Sequence, residues 1–166
     1  MQVSSSFDEL SRILGPSPLP ERALADVERA WETALPAEVQ RVLQRYGDLM
    51  VDDFLYLFGP LTLEEKGEWM SGYVKRGESR LIVEPVLPEP GGMLHWGQTI
   101  DGDRLFLVPR GAADPWTVSA FRRNWGDWYE TGLPLEEWLV GVFRGDIETD
   151  WMPEWPTVHA LVADDG

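Results

Sequence analysis

Cysteine is absent from all 166 residues of the chain. Its absence excludes disulfides, thiolate zinc sites, iron–sulfur clusters and thiol nucleophiles together. A reducing compartment suits a chain without cysteine, and the first residues resemble no secretory signal. We therefore expect a cytoplasmic protein.

Basic residues are also scarce, since 14 Lys and Arg stand against 29 Asp and Glu, for a formal net charge of −15. Nucleic acids and anionic membrane surfaces both attract clusters of basic residues. No apolar run approaches the roughly 20 residues that cross a bilayer. We expect neither a nucleic-acid partner nor a membrane partner.

The residues that catalysis and metal binding require are few. Only His95 and His159 are available as imidazole ligands, whereas a typical zinc site takes several converging ligands. A lone histidine in a strand, such as His95, is usually a packed residue, and His159 lies in the acidic last part of the sequence. The sequence has no phosphate-binding glycine loop and no nucleophile elbow. We expect no catalytic residue, no metal and no cofactor.

The residue pattern predicts a succession of short helices and strands. Apolar residues at helical spacing mark the helices, and β-prone runs between turn residues mark the strands. The predicted helices cover residues 6–14, 21–34, 39–46, 62–74 and 135–143. The predicted strands are Phe54–Phe58, Leu81–Val83, Met93–Thr99, Arg104–Val108, Trp116–Arg122 and Trp125–Tyr129.

Turn and capping residues predict where these elements begin and end. Ser6 and Thr62 each precede an acidic residue at the spacing of a capping box. Gly47 is expected to end its helix in the left-handed conformation. Asp101 and Gly102 suit a tight turn, so the runs on either side of them are expected to form a hairpin.

Seven of the nine tryptophans fall into two groups. Trp31, Trp96 and Trp138 lie on the apolar sides of predicted elements and are expected in the core. The second group lies among carboxylates and allows three interpretations: a sugar-stacking platform, a protein interface, or a tail clamped to the domain by its own rings. Its members are Trp125, Trp128, Tyr129, Trp151 and Trp155.

The negative charge is concentrated near the end of the chain. From Asn124 onward there are ten acids and one base, Arg144, so −9 of the −15 lies in the last quarter. An acidic surface that recognises a basic partner explains this asymmetry, and so does a solvated tail. The candidate partner-binding residues are Asp127, Glu130, Asp146, Glu148, Asp150, Trp151, Glu154 and Trp155.

Several short motifs also occur in a characteristic order. They are Val27, Glu28 and Trp31, then Leu35-Pro36, Tyr46-Gly47, Trp96-Gly97 and Asp101-Gly102-Asp103, followed by the strand Trp116–Arg122 and the helix Leu135–Phe143. This order resembles the SUKH superfamily, which includes fungal Smi/Knr-like regulators and many bacterial proteins. The resemblance spans residues 21–145. Residues 1–20 are expected to form an arm or a short helix, and residues 146–166 an acidic, Trp- and Pro-containing segment that packs on the domain or extends it.

The resemblance implies a single α+β domain with a largely antiparallel, twisted sheet and helices packed around it. It also implies a non-catalytic protein-binding role. Bacterial members are similar to immunity proteins, so the expected partner is a basic, nucleic-acid-directed toxin domain that the chain neutralises by direct binding. A regulatory scaffold of the Smi/Knr-like type is the alternative, and a glycan-binding domain is a third. We expect a monomer or a weak homodimer.

Overall fold

The computed structural model describes residues 5–111 and 114–163 and shows an α+β fold, as the sequence predicts. Its helices are α1 (Ser6–Leu14), α2 (Ala25–Trp31), α3 (Ala37–Tyr46), α4 (Leu63–Lys75) and α5 (Leu135–Arg144). Its strands are β1 (Leu49–Val51), β2 (Leu55–Leu57), β3 (Leu94–Thr99), β4 (Arg104–Val108), β5 (Thr117–Arg122), β6 (Asp127–Glu130) and β7 (Leu161–Ala163). No helix in the described ranges is long and apolar enough to cross a bilayer.

The strands form one antiparallel sheet in the order β6-β5-β4-β3-β2-β1-β7. Alternate side chains of a strand point to opposite faces, and both faces of this sheet are covered. Leu105 and Leu107 of β4 join the large core cluster with α1, α2, α3 and α5. Phe106, between them, packs in a second cluster with Met70 of α4. We call these the α5 face and the α4 face of the sheet.

The N-terminal segment forms a helix that packs on the domain. Its N-cap is Ser5, one residue before the predicted Ser6, and the Ser5 hydroxyl accepts a hydrogen bond from the Asp8 amide at 3.1 Å. Leu10 and Leu14 are buried, and α1 packs against α5. Helix α1 therefore contributes to the core that supports the C-terminal part of the chain.

Helix α2 begins at Ala25, four residues after the predicted start. The Leu24 amide donates instead to Oε1 of Gln44 at 2.9 Å, so the preceding residues are bonded to α3. The corner at Leu35-Pro36 is held by Glu28, whose Oε2 accepts from the Leu35 amide at 2.7 Å. Glu28 and Leu35-Pro36, two of the short motifs noted in the sequence, therefore have a structural role at the corner between α2 and α3.

The prediction that Gly47 adopts a left-handed conformation is wrong. Gly47 has φ −69° and ψ 158°, and Asp48 has the positive φ of 64°. Glycine is required at position 47 because a Cβ there would lie 2.5 Å from the Cα of Gly59. Two backbone segments thus pack directly on each other where α3 leads into β1.

Thr62 does not cap α4 with its side chain, contrary to prediction. Its hydroxyl donates to Oδ1 of the buried Asp48 at 2.6 Å. The other carboxylate oxygen of Asp48 accepts from the Leu61 amide at 3.0 Å. The Thr62 side chain therefore links the start of α4 to Asp48, just after the end of α3, instead of capping the helix.

The strands from Leu94 to Glu130 agree with the predicted order. The predicted hairpin at Asp101 and Gly102 is confirmed, although its loop runs from Ile100 to Asp103 and only Gly102 has a positive φ, of 94°. The predicted strand Leu81–Val83 is wrong, because this segment is irregular and only Ile82 is buried. The structure adds two three-residue strands that the sequence did not indicate, β1 and β7.

We expect Gly47→Ala to lower the free energy of unfolding by about 3 kcal/mol, because the new methyl group meets backbone atoms that have no room to move. Urea denaturation measures the change. Gly132→Ala is the matched control, since a Cβ at position 132 meets nothing within 4 Å. Equal stability of the two variants would contradict the close approach of Gly47 and Gly59.

Candidate functional site: the acidic groove beside helix α5

The segment that follows α5 is packed onto the α5 face by its aromatic rings. Trp151 is buried, with its ring 5.2 Å from that of Tyr129 and 6.4 Å from that of Trp138. Trp155 is half-buried and makes edge-on contacts with Phe54 at 6.0 Å and Phe143 at 5.0 Å. Of the three interpretations of these residues, the clamped tail describes Trp151 and Trp155.

The start of the same segment turns tightly around the end of α5. Gly145 takes a left-handed conformation with φ 81°, as expected for a residue that ends a helix. Gly141 allows the close approach of Ile147, because a Cβ at 141 would lie 2.7 Å from Cγ1 of Ile147. The exposed acids of the segment are therefore carried on an ordered backbone.

The end of the segment is anchored by His159 and Asp52. Nδ1 of His159 lies 2.6 Å from Oδ2 of Asp52, and the Ala160 amide donates to Oδ1 of Asp52 at 2.8 Å. The histidine ring also packs 4.9 Å from Phe143. From this anchor the chain continues into β7, which pairs with β1 at the edge of the sheet.

An open groove of about 540 Å³ lies between α5 and this segment. Exposed Glu148, Asp150 and Glu154 provide its carboxylates, and Arg144 is the base that lines it. The apolar part of its lining includes Phe143, Ile147, Met152 and Trp155. We call this feature the acidic groove.

The charge of Arg144 in the groove is compensated from outside it. Nη2 of Arg144 forms an ion pair with Glu9 of α1. The groove also adjoins the C-terminal end of α5, where the helix dipole carries partial negative charge. Both effects leave the three groove carboxylates as the dominant charge and favour a cationic ligand.

The structure brings together only part of the predicted partner-binding set. Glu148, Asp150, Glu154 and Trp155 line the acidic groove, and exposed Asp146 precedes them in the same segment. Trp151 lies beneath the surface, so its ring offers no contact to a partner. The buried ring supports the groove from below.

Asp127 and Glu130 lie on β6, outside the groove. Asp127 accepts two hydrogen bonds from Arg122, at 2.8 and 2.5 Å, and this pairing lowers the pKa of Asp127. The same bond raises the pKa of Arg122, and the charge of Asp150 adds to the effect. Glu130 accepts from Nε1 of Trp128 at 3.1 Å and lines a different cavity, on the α4 face.

His95 is fully buried in β3, as expected for a packed strand histidine. Its ring lies 5.0 Å from Phe106 and 4.9 Å from Phe58. Burial lowers the pKa of His95 to about 3, and the charges of Arg104 and Lys66 act in the same direction. In the part of the chain that the structure describes, no group of three or more His, Asp or Glu could hold a metal ion.

Comparison of the chain with protein-family models, with curated proteins and with solved structures gave no match.

We expect His95 to make the protein less stable in acid. The unfolded state takes up a proton near pH 6.5 and the folded state only near pH 3, so the unfolded state binds more protons between these values. The free energy of unfolding therefore carries no penalty from His95 above pH 6.5. Below that pH it falls by up to about 1.4 kcal/mol per pH unit. His95→Phe should remove this part of the slope in urea denaturation from pH 7 to pH 4; an unchanged slope would contradict the buried neutral imidazole.

We expect Trp151→Ala to release the C-terminal segment, at a cost of about 3 kcal/mol in the free energy of unfolding. Hydrogen exchange followed by mass spectrometry should show faster exchange across residues 146–163. Trp125→Ala is the control, because Trp125 is exposed in the turn before β6. Unchanged exchange in the Trp151 variant would show that the aromatic clamp does not hold the segment.

Proposed function

We propose that this chain is a non-catalytic binding protein of the immunity type, which neutralises a basic toxin domain by direct contact. The observation that carries the proposal is the acidic groove. It combines three exposed carboxylates with apolar side chains, on a segment whose backbone is clamped to the domain. The resemblance of the motif order to the SUKH superfamily supports the same class of function.

The charge pattern of the groove suits a partner that normally binds phosphate groups. A nuclease or another nucleic-acid-directed enzyme presents Lys and Arg around its substrate site. Carboxylates placed against those residues occupy the positions of the substrate phosphates and steer the encounter of the two proteins. The net charge of −15 extends this attraction beyond the contact itself.

The apolar lining gives the groove a second means of recognition. Half-buried Ile147 and Trp155 present part of their apolar surface to the groove, and the largely buried Phe143 and Met152 support them from beneath. Aromatic residues at the centre of an interface commonly contribute much of the binding free energy. A Lys or Arg side chain of a partner complements this groove, because its long apolar stem suits the apolar lining and its charged head suits the carboxylates.

A regulatory scaffold like the Smi/Knr-like proteins remains the second candidate, because the groove would serve any basic protein partner. A glycan platform receives less support. It would require exposed rings on the C-terminal segment, and Trp151 is buried while Trp155 packs against Phe54 and Phe143.

We expect a variant with Asp146→Asn, Glu148→Gln, Asp150→Asn and Glu154→Gln to associate with the toxin about tenfold more slowly at low salt, because steering charge is lost. Its association rate should also depend less on ionic strength. The control variant changes four exposed acids elsewhere, with the same gain in charge: Glu21→Gln, Glu68→Gln, Glu84→Gln and Asp114→Asn.

The experiment uses the wild-type chain and both variants, immobilised and exposed to an extract of the native host. A basic protein that the wild type and the control retain, and the groove variant loses, is then purified and expressed in a test bacterium. Growth arrest that co-expression of the wild-type chain relieves supports immunity. A retained partner that is harmless supports the scaffold instead, and equal retention by all three proteins would contradict the groove as the binding site.

A further inference from the structure

A half-buried arginine on the α4 face has no acidic partner among the residues that the structure describes, although the chain is rich in acids. Arg104 of β4 forms no ion pair within 4.0 Å among the described residues. Nη1 of Arg104 donates to Oε1 of Gln98 at 2.5 Å, and a guanidinium has several further N–H donors. Burial of Arg104 lowers its pKa, and the electrostatic interaction with Tyr73 offsets only part of this effect.

An aromatic pair, the exposed Trp69 and the half-buried Tyr73, lies directly beside this arginine. Trp69 of α4 is 52% exposed and stacks on Tyr73, with ring centroids 5.2 Å apart and planes 13° from parallel. The Arg104 guanidinium carbon lies 5.6 Å from the centroid of the Trp69 ring. The exposed part of Trp69 does not gain the free energy that burial would provide. The half-buried Arg104 beside it has lost solvation without gaining an ion pair among the described residues. Both features make the folded state less stable at the same place.

A second unpaired cation, Lys66, belongs to the same face. Lys66, Trp69 and Tyr73 are spaced i, i+3 and i+7, so they follow one side of α4. Nζ of Lys66 lies 5.8 Å from the ring centroid of Phe58 and has no carboxylate within 4.0 Å among the described residues. Both Lys66 and Arg104 act electrostatically on His95, which places the two charges around one buried ring.

We propose that Lys66, Trp69, Tyr73 and Arg104 form a second contact surface, which receives an acidic side chain of a partner polypeptide. The free N–H groups of the guanidinium match a carboxylate, and the exposed indole offers an apolar surface to the residue beside it. Trp, Tyr and Arg are also the residue types that dominate binding at protein interfaces. This surface goes beyond the acidic groove, which binds the opposite charge.

A carboxylate fits this surface better than a phosphate group does. The net charge of −15 repels an anion more strongly as the charge of that anion increases. A single carboxylate on a polypeptide carries one negative charge, and its neighbouring side chain gains from contact with Trp69. Inorganic phosphate has neither advantage.

The test titrates the full-length, ¹⁵N-labelled protein with the blocked dipeptide acetyl-Phe-Glu-amide and follows the Trp69 indole and Arg104 Nε signals by NMR. The neutral twin, acetyl-Phe-Gln-amide, is the matched ligand control, and the Trp125 indole is an internal control. We expect saturable shifts of the Trp69 and Arg104 signals with the Glu peptide only. Arg104→Gln should weaken binding about tenfold or more, since a charge-assisted bond is lost, and Arg80→Gln should leave it unchanged.

Lys66→Gln gives an independent reading of the cationic requirement if Arg104→Gln unfolds, which thermal unfolding followed by circular dichroism would reveal. Equal shifts with the Glu and Gln peptides, or no saturable shift with either, would overturn the proposal. Saturable shifts with inorganic phosphate but not with the Glu peptide would overturn it too, because they would assign the surface to a phosphate ligand.

Discussion

The burial of Trp151 against Tyr129 and Trp138 is the interaction on which the proposed binding surface depends. It holds the segment after α5 on the sheet, so that Glu148, Asp150 and Glu154 line a groove of defined shape. Charges on an ordered backbone are positioned before a partner arrives, which reduces the entropy lost on binding. Without the clamp, the same acids would be distributed along a mobile chain.

The covering of the sheet on both faces separates two surfaces of opposite charge. Strand β4 shows the principle, since Leu105 and Leu107 point to the α5 face while Arg104 and Phe106 point to the α4 face. The acidic groove belongs to the first side, and the Arg104 surface belongs to the second. The two proposals together predict that the domain holds two partner elements at once, one basic and one acidic.

The sequence was sufficient to predict elements whose pattern is local. Helix α5 could be predicted because its apolar residues repeat at helical spacing between Pro134 and Gly145, and the β3–β4 hairpin because of its Asp-Gly turn. Strands β1 and β7 could not, since each has only three residues and depends on partners distant in the chain. Gly47 was misread because its role is a contact with Gly59, which no local pattern reveals.

The candidate site was predictable in part for the same reason. Charge asymmetry pointed to Glu148, Asp150 and Glu154 without any structure. It could not show that Glu130 leaves this surface, because successive residues of β6 point to opposite faces, or that Trp151 lies underneath. The pairing of Trp69 with Tyr73 and Arg104 could be identified only from the structure, because Arg104 lies on a strand distant in the chain.

Hydrogen exchange of the full-length chain, alone and in complex with the basic partner recovered from the host, tests the central claim most directly. If the acidic groove is the docking surface, binding should slow exchange across residues 142–155. Protection confined to other parts of the chain, or no protection at all, would contradict the account.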